Sequence, residues 1–284
     1  MEKLIRFDWA IKKLLRNKAN FDILEGFLTA LLHEEITVVN LLESESNQED
    51  ETDKFNRVDL LVENSRNELI IIEVQVKSEH DFFHRIAYGS AKLLSEHFSK
   101  GQSYQNIKKI ISVNITYFNL GAGNDYLYYG STNFVGIHTG DTLTMTDAQY
   151  EQFGIRDVRT IFPEHYLIRV AKFPDQINEA LDEWIYMLKH SEVRPDFTAK
   201  HIQDASVRLR VMNLDPEQRR AYNRHMENVS YQESMLWSSR IEEKTAIAKN
   251  LLAHGVAADI IRASTGLSAQ ELDRLLETMK RQAH

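Results

Sequence analysis

The run "LIIIEVQV" at residues 69–76 constrains the fold more than any other feature of this sequence. It follows "VDLLVE" (58–63) and a short polar turn, "NSRN", which together predict a β-hairpin. The second strand is apolar enough that we expect both of its faces to be covered. Glu73 interrupts it, and burying an unpaired carboxylate is costly, so Glu73 needs a partner.

Strand alternation gives this hairpin one polar face. Side chains alternate across a strand, so Glu73, Gln75 and Lys77 share one face, while the aliphatic residues between them share the other. Asp59 lies on the preceding strand of the hairpin, where it can stand beside Glu73. Two carboxylates and an amide are ligands that Mg²⁺ or Mn²⁺ prefers. Such an ion lowers the pKa of a bound water and neutralises charge on a phosphodiester. The alternative is a half-solvated strand with a polar face.

The remaining pattern predicts a mixed α/β core followed by helices. A helix at 20–32 precedes a strand at 35–44 and an acidic loop at 43–53, and a second helix from Asp81 to Phe98 follows the hairpin. Further strands are predicted at 107–118, 125–131, 134–139 and 165–173. The sequence after Pro174 is helical. We therefore expect an α/β domain at 1–173 and a helical region at 174–284.

Composition excludes several kinds of chemistry. The chain has no cysteine, which excludes disulfides, zinc–thiolate sites and cysteine catalysis. The net charge of −8 disfavours non-specific nucleic-acid binding, although a metal site is itself acidic. The N-terminus carries too many charges for a signal peptide, and no apolar run reaches the ~20 residues of a membrane span. We expect a cytoplasmic protein with no membrane partner.

The C-terminal stretch from 242 to 279 predicts three short helices with the rhythm of a helix-turn-helix. Gly255 and Gly266 are suited to end helices, and Ser268 with Glu271 forms the pattern of a capping box. The helix after "TGLS" begins with acidic and amide residues rather than with a row of Arg and Lys. Two interpretations follow, a DNA-recognition unit and a helical module for packing or self-association into a homo-oligomer.

The order of these motifs resembles a known family. A helix, "VDLLVE", a turn, "IIIEVQV", "DFFHRIAYGSAKLL" and "IISVNITYF" resemble the PD-(D/E)XK nuclease family transposases, which are related to the Rpn recombination-promoting nucleases. "YLIRVAKF", "ALDEWIYML" and "IAKNLLAHGVAADIIRASTGLSAQEL" extend the resemblance over nearly the whole chain. It implies a restriction-endonuclease-like α/β/α core with a mixed, mainly antiparallel sheet. It also implies Mg²⁺-dependent DNA cleavage, with Asp59, Glu73 and Gln75 at the active-site positions.

One position departs from that pattern. The superfamily usually has lysine where this chain has Gln75, and Lys77 either replaces that cation or is a solvated lysine at the strand end. The resemblance also makes Glu25 a candidate, because nucleases of this fold often use an acid from the first helix; the alternative is a surface or capping glutamate. Arg85 is a candidate phosphate contact, or else it pairs with an acid.

Three functions are consistent with the sequence. The first is a metal-dependent DNA endonuclease associated with recombination or mobile elements, with Asp59 and Glu73 as metal ligands. The second is a catalytically weak or inactive relative that keeps the fold and acts as a DNA-binding or assembly protein. The third is a structural protein in which Asp59 and Glu73 are hydrogen-bonded core acids.

Overall fold

A computed structural model describes residues 4–42, 59–98 and 101–282. The chain forms two compact units, Met1–Leu214 and Asp215–His284. The acidic loop predicted at 43–53 lies outside the described residues.

The first unit contains six strands and six α-helices within the described ranges, besides short 3₁₀ helices. The strands are β1 (Val38–Leu42), β2 (Leu60–Asn64), β3 (Leu69–Gln75), β4 (Ile110–Thr116), β5 (Leu127–Gly130) and β6 (Glu164–Arg169). The helices are α1 (Phe7–Lys13), α2 (Phe21–Leu32), α3 (Phe82–Glu96), α4 (Asp147–Phe153), α5 (Ala180–His190) and α6 (Ile202–Arg208).

The strands form one mixed sheet in the order β1-β2-β3-β4-β6-β5. The pairs β1–β2, β2–β3 and β5–β6 are antiparallel, whereas β3–β4 and β4–β6 are parallel. The parallel pair β3–β4 requires a crossover, which α3 supplies. The predicted fold class, a mixed and mainly antiparallel sheet combined with helices, is confirmed.

Helix α3 covers the face of the sheet that carries Glu73. It packs against β4. Leu93 of α3 joins a buried apolar cluster with side chains of β2, β3 and β4, namely Leu61, Leu69, Ile71 and Ile110. The helix therefore closes one end of this face with aliphatic side chains, while its N-terminal end lies near the end of β3.

The predicted strand at 134–139 is wrong. Only an isolated bridge joins Val135 to Thr142, and residues 137–139 form a turn. Ile137 at this turn is 94% exposed, so the segment has no apolar face to bury against a sheet. A run of apolar residues forms a stable strand only if a neighbouring element covers one of its faces.

The first unit continues past the predicted boundary at 173. Phe27 of α2 makes edge-to-face ring contacts with Phe7 of α1 and Trp184 of α5. A Cβ atom at Gly26 would lie 2.3 Å from the backbone oxygen of Lys200, so α2 and the segment leading into α6 are closely packed. The change in composition near 173 marks the end of the strands. The helices that follow complete the same core, so this unit ends at Leu214.

The second unit is helical and has its own small core. It contains α7 (Pro216–Ala253), α8 (Ala258–Thr265) and α9 (Ala269–Gln282). The first of the three short helices predicted here is the end of the 38-residue α7, which begins at a capping box on Asp215. Gly255 and Gly266 adopt positive φ, at 71° and 67°, and Ser268 and Glu271 form the predicted reciprocal hydrogen bonds. Among the described residues, no helix is long and apolar enough to cross a membrane.

Candidate active site

The β2–β3 hairpin brings Asp59 and Glu73 onto the same face. Leu60 pairs with Ile72, and continuing this antiparallel register by one residue sets Asp59 opposite Glu73. The backbone N–H of Val74 donates a hydrogen bond of 2.7 Å to Oδ2 of Asp59. This bond holds the Asp59 carboxylate against the end of β3 and does not involve Oδ1.

Asp59 also contacts two cations from the N-terminal segment. Nζ of Lys12, on α1, lies 3.1 Å from Oδ1 of Asp59, and Arg16 donates a 2.9 Å hydrogen bond to the Asp59 backbone oxygen. Burial raises the pKa of Asp59, whereas the charge of Lys12 lowers it. The sequence did not point to Lys12, because no local pattern relates α1 to residue 59. The signal that could have found it is charge balance, since two buried acids require nearby cations.

Glu73 is 8% exposed and paired with Arg85 of α3. Its Oε2 lies 3.7 Å from Nε of Arg85, and both atoms are buried without a hydrogen-bond partner among the described residues. Burial raises the pKa of Glu73 to about 7; Arg85 opposes this shift, and the nearby charges of Asp59 and Glu79 add to it. Glu73 therefore changes its charge near neutral pH, which is unusual for a glutamate.

Gln75 is oriented by Glu79, an acid whose role no local pattern in the sequence indicates. Its Nε2 donates a 2.5 Å hydrogen bond to Glu79, which also accepts from Nη1 of Arg85 at 3.1 Å. Glu79 thus ties the strand end to α3. Because its nitrogen faces Glu79, the Gln75 amide has its carbonyl oxygen available for a ligand.

The parallel neighbour β4 adds a further polar group to this face. Asn114 pairs in register with Glu73, and its Nδ2 donates to backbone oxygens of Ser112 and Tyr166 at 3.3 and 3.4 Å. Backbone oxygens only accept, so the amide orientation is fixed and Oδ1 is the remaining atom. This oxygen is buried and, within the described part of the chain, has no partner. Ser90 of α3 also has a buried hydroxyl oxygen without a hydrogen-bond partner in the described part of the chain.

The donor set suits a hard divalent cation. The carboxylates of Asp59 and Glu73 with the carbonyl oxygen of Gln75 give the all-oxygen ligands that Mg²⁺ and Mn²⁺ prefer. The unsatisfied Oε2 of Glu73 supports this fit, because a buried oxygen without a donor calls for a water or an ion. Burial raises the pKa of Glu73, and a bound cation would oppose that shift by stabilising the charged form.

The other predicted residues take different positions. Oε1 of Glu25 accepts a 2.8 Å hydrogen bond from the backbone N–H of Val38, so this carboxylate fixes the start of β1. Lys77 lies beyond the end of β3 and is exposed. Arg85 pairs with Glu79 and Glu73, in agreement with the alternative that it binds an acid. Its contact with nucleic acid stays a prediction.

A second group with metal-ligating side chains lies elsewhere in the first unit. Asp22, His201 and Asp204 bring one ligand atom each within 4.8 Å of the others. Arg208 already supplies a cation here, because its Nη1 donates a 2.8 Å hydrogen bond to Asp22 and its Nη2 donates a second. This cluster therefore joins α2 to α6 through ion pairs.

Two family models match the chain. The model described as PD-(D/E)XK nuclease family transposase matches residues 5–238, and the one described as Rpn/YhgA-like nuclease family, C-terminal HTH domain, matches residues 242–277. No curated protein and no solved structure matched.

Proposed function

The chain belongs to the PD-(D/E)XK nuclease family transposases, and from this premise we propose that it is a metal-dependent DNA endonuclease acting in recombination or on mobile elements. The observation that carries the proposal is the pairing of Asp59 with Glu73 on one face of the sheet, where burial raises the pKa of Glu73 to about 7. Burying two carboxylates side by side is costly, and a bound divalent cation would offset that cost and hold both in their charged form.

The proposed reaction is hydrolysis of a phosphodiester. Asp59 and Glu73 would hold the ion, and the carbonyl oxygen of Gln75 would bind it or accept a hydrogen bond from the attacking water. When bound, Mg²⁺ or Mn²⁺ supplies a lowered pKa for water and neutralises charge on the phosphate. The water forms a bond to phosphorus and loses a proton, the bond from phosphorus to the leaving oxygen breaks, and that oxygen takes up a proton. Arg85 keeps Glu73 in place and favours its charged form.

Cleavage of a labelled duplex with and without divalent cation tests this function. We expect wild-type protein to cut with Mg²⁺ or Mn²⁺, to stop on chelation and to recover when metal is restored. Asp59→Asn keeps the shape of the side chain and removes its charge, so it should lose cleavage while keeping the circular-dichroism spectrum of wild type. Equal residual cleavage by wild type and by this variant would contradict the proposal.

A catalytically weak DNA-binding protein is the second candidate. Gln75 in place of the lysine common in the superfamily, and the match of residues 242–277 to a C-terminal HTH domain, favour it. This function predicts salt-sensitive retention of DNA that survives Asp59→Asn and falls when residues 255–284 are removed. Retention that is unaffected by this truncation would exclude the tail as the DNA-binding element. A cytoplasmic location and a homo-oligomer formed through the helical region remain part of the proposal.

A further inference from the structure

The proposed active site has no cation at the position where the superfamily usually has lysine, because Gln75 carries no charge. We propose that Lys12 of α1 supplies that charge, and that its ammonium group contacts the scissile phosphate and stabilises the negative charge that develops on it. This inference rests on the proposed function and adds a catalytic residue to it.

The position of Lys12 suits this role. Its Nζ lies 3.1 Å from Oδ1 of Asp59, the oxygen not engaged by the backbone of Val74. Its charge also acts on Glu73, whose pKa it lowers. The Lys12 side chain is 46% exposed, whereas that of Asp59 is 16% exposed. The ammonium therefore stands at the solvent side of the two acids, where a DNA phosphate would approach.

The helix that carries Lys12 is held independently of this ion pair. Phe7, Ala10 and Ile11 of α1 are buried, so the core fixes the helix and the direction of its exposed face. Asp59 is likewise held by the Val74 N–H and by Arg16. The ion pair joins a half-exposed ammonium to a largely buried carboxylate, so loss of Lys12 should cost some stability, which urea unfolding measures. The other contacts of Asp59 keep its carboxylate in place, so the variant should still fold and its loss of cleavage should exceed what the change in stability explains.

The other nearby cations are less suited. The Nη1 of Arg85 donates to Glu79, and its Nε faces Glu73, so its guanidinium is committed to two acids. Lys77 lies past the strand end, and Arg16 donates to the backbone oxygen of Asp59 rather than to its carboxylate. Within the described part of the chain, Lys12 and Arg85 are the cations whose charges shift the pKa values of Asp59 and Glu73. A lysine reaching the site from a different element can replace one on β3, because the phosphate responds to the position of the charge and not to the strand that carries it.

Lys12→Met tests the inference with Lys13→Met as its matched control. Both lysines are exposed neighbours on α1, so the two variants make the same change in net charge and in helix sequence. Three quantities should be measured on the full chain: Mn²⁺ affinity by electron paramagnetic resonance, duplex DNA affinity in Ca²⁺, and the single-turnover cleavage rate in Mg²⁺. Lys12→Arg serves as the conservative variant.

We expect Lys12→Met to slow single-turnover cleavage by about 100-fold or more, as removal of a transition-state contact does. Mn²⁺ affinity measured at pH 8.5, where Glu73 is charged with or without Lys12, should stay equal or rise, because the ammonium no longer competes with the ion for Asp59. Lys12→Arg should recover part of the rate, and Lys13→Met should match wild type. Cleavage by Lys12→Met within threefold of wild type, or parallel loss of cleavage and Mn²⁺ affinity, would overturn the inference. Wild-type protein that cuts no better than Asp59→Asn would instead overturn the proposed function.

Discussion

Arg85 faces Glu73 across the interface between α3 and β3, with Nε 3.7 Å from Oε2. The two atoms are buried, and neither has a hydrogen-bond partner among the described residues. The same arginine donates to Glu79, which accepts from Gln75. A single guanidinium thus links the charge of one active-site candidate to the orientation of another.

Replacing Arg85 should weaken metal binding at neutral pH. Arg85 lowers the pKa of Glu73, so Arg85→Leu should raise it above about 7 and protonate more of the ligand. We expect Mg²⁺ affinity by calorimetry to fall at least tenfold at pH 7 and to recover partly at pH 8.5. Arg85→Lys should lie between this variant and wild type. Unchanged affinity at pH 7 would show that Arg85 does not control the charge of Glu73.

Stability without metal should fall as the pH rises from about 4.5 to 7. The pKa of Glu73 is raised from 4.5 to about 7, so in this range the folded chain holds a proton that the unfolded chain releases. The folded state binds more protons, and the free energy of unfolding therefore decreases with pH, by up to roughly 3 kcal/mol from this group. Glu73→Gln should flatten the decline in urea unfolding. A decline of the same size in Glu73→Gln would assign the effect to other groups.

Added Mg²⁺ should reverse that loss above pH 7. A ligand that binds only the folded state stabilises it by about 2.7 kcal/mol at 100 times its dissociation constant. The gain in melting temperature should be larger at pH 8 than at pH 6, where Glu73 is protonated. Scanning calorimetry of wild type and Asp59→Asn at both pH values checks this. A gain that is independent of pH, or that persists in Asp59→Asn, would contradict a site built on these two acids.

Variants of Glu25, on α2, test whether this residue has a structural or a catalytic role. Its carboxylate accepts from the Val38 N–H, so Glu25→Ala should cost about 1–2 kcal/mol of unfolding free energy through the unsatisfied donor. Glu25→Gln retains an acceptor and should cost less, and both variants should cleave DNA at the wild-type rate while folded. Loss of cleavage in Glu25→Gln at unchanged stability would instead place Glu25 in the chemistry.

Moving the positive charge from position 12 to position 75 tests whether a cation at either position stabilises the same phosphate. Gln75→Lys adds a cation on β3, where the superfamily usually has one. In a Lys12→Met background we expect this second change to recover at least about tenfold of the lost single-turnover rate, in line with the electrostatic origin of such effects. No recovery would contradict an equivalent role for the two positions.

The sequence predicts the hairpin because its information is local. Alternation over "IIIEVQV" assigns Glu73 and Gln75 to one face, and a four-residue turn brings Asp59 beside them. The same holds for the capping box at Ser268, whose two hydrogen bonds lie within one helical turn. These features depend on neighbours a few residues away, and tertiary packing does not override them.

The cations of the site depend on contacts that no local pattern encodes. Lys12 reaches Asp59 from the first helix, and Arg85 reaches Glu73 because α3 packs over β4. The domain boundary predicted at 173 also depends on such long-range contacts. Trp184 of α5 packs against Phe27 of α2, so α5 belongs to the first unit. Composition shows where strands stop, but not which later helices complete their core.

The proposed metal-dependent catalysis at Asp59 and Glu73 is tested by the rate of plasmid nicking as a function of Mg²⁺ concentration, measured for wild type and for Glu73→Gln. Glu73→Gln keeps the size of the side chain and removes the charge that would hold the ion. We predict a saturating, Mg²⁺-dependent rate for wild type and a fall of at least about 100-fold for the variant, since one proposed ligand of the metal is lost. Equal rates for the two proteins, or a wild-type rate that does not depend on Mg²⁺, would contradict it.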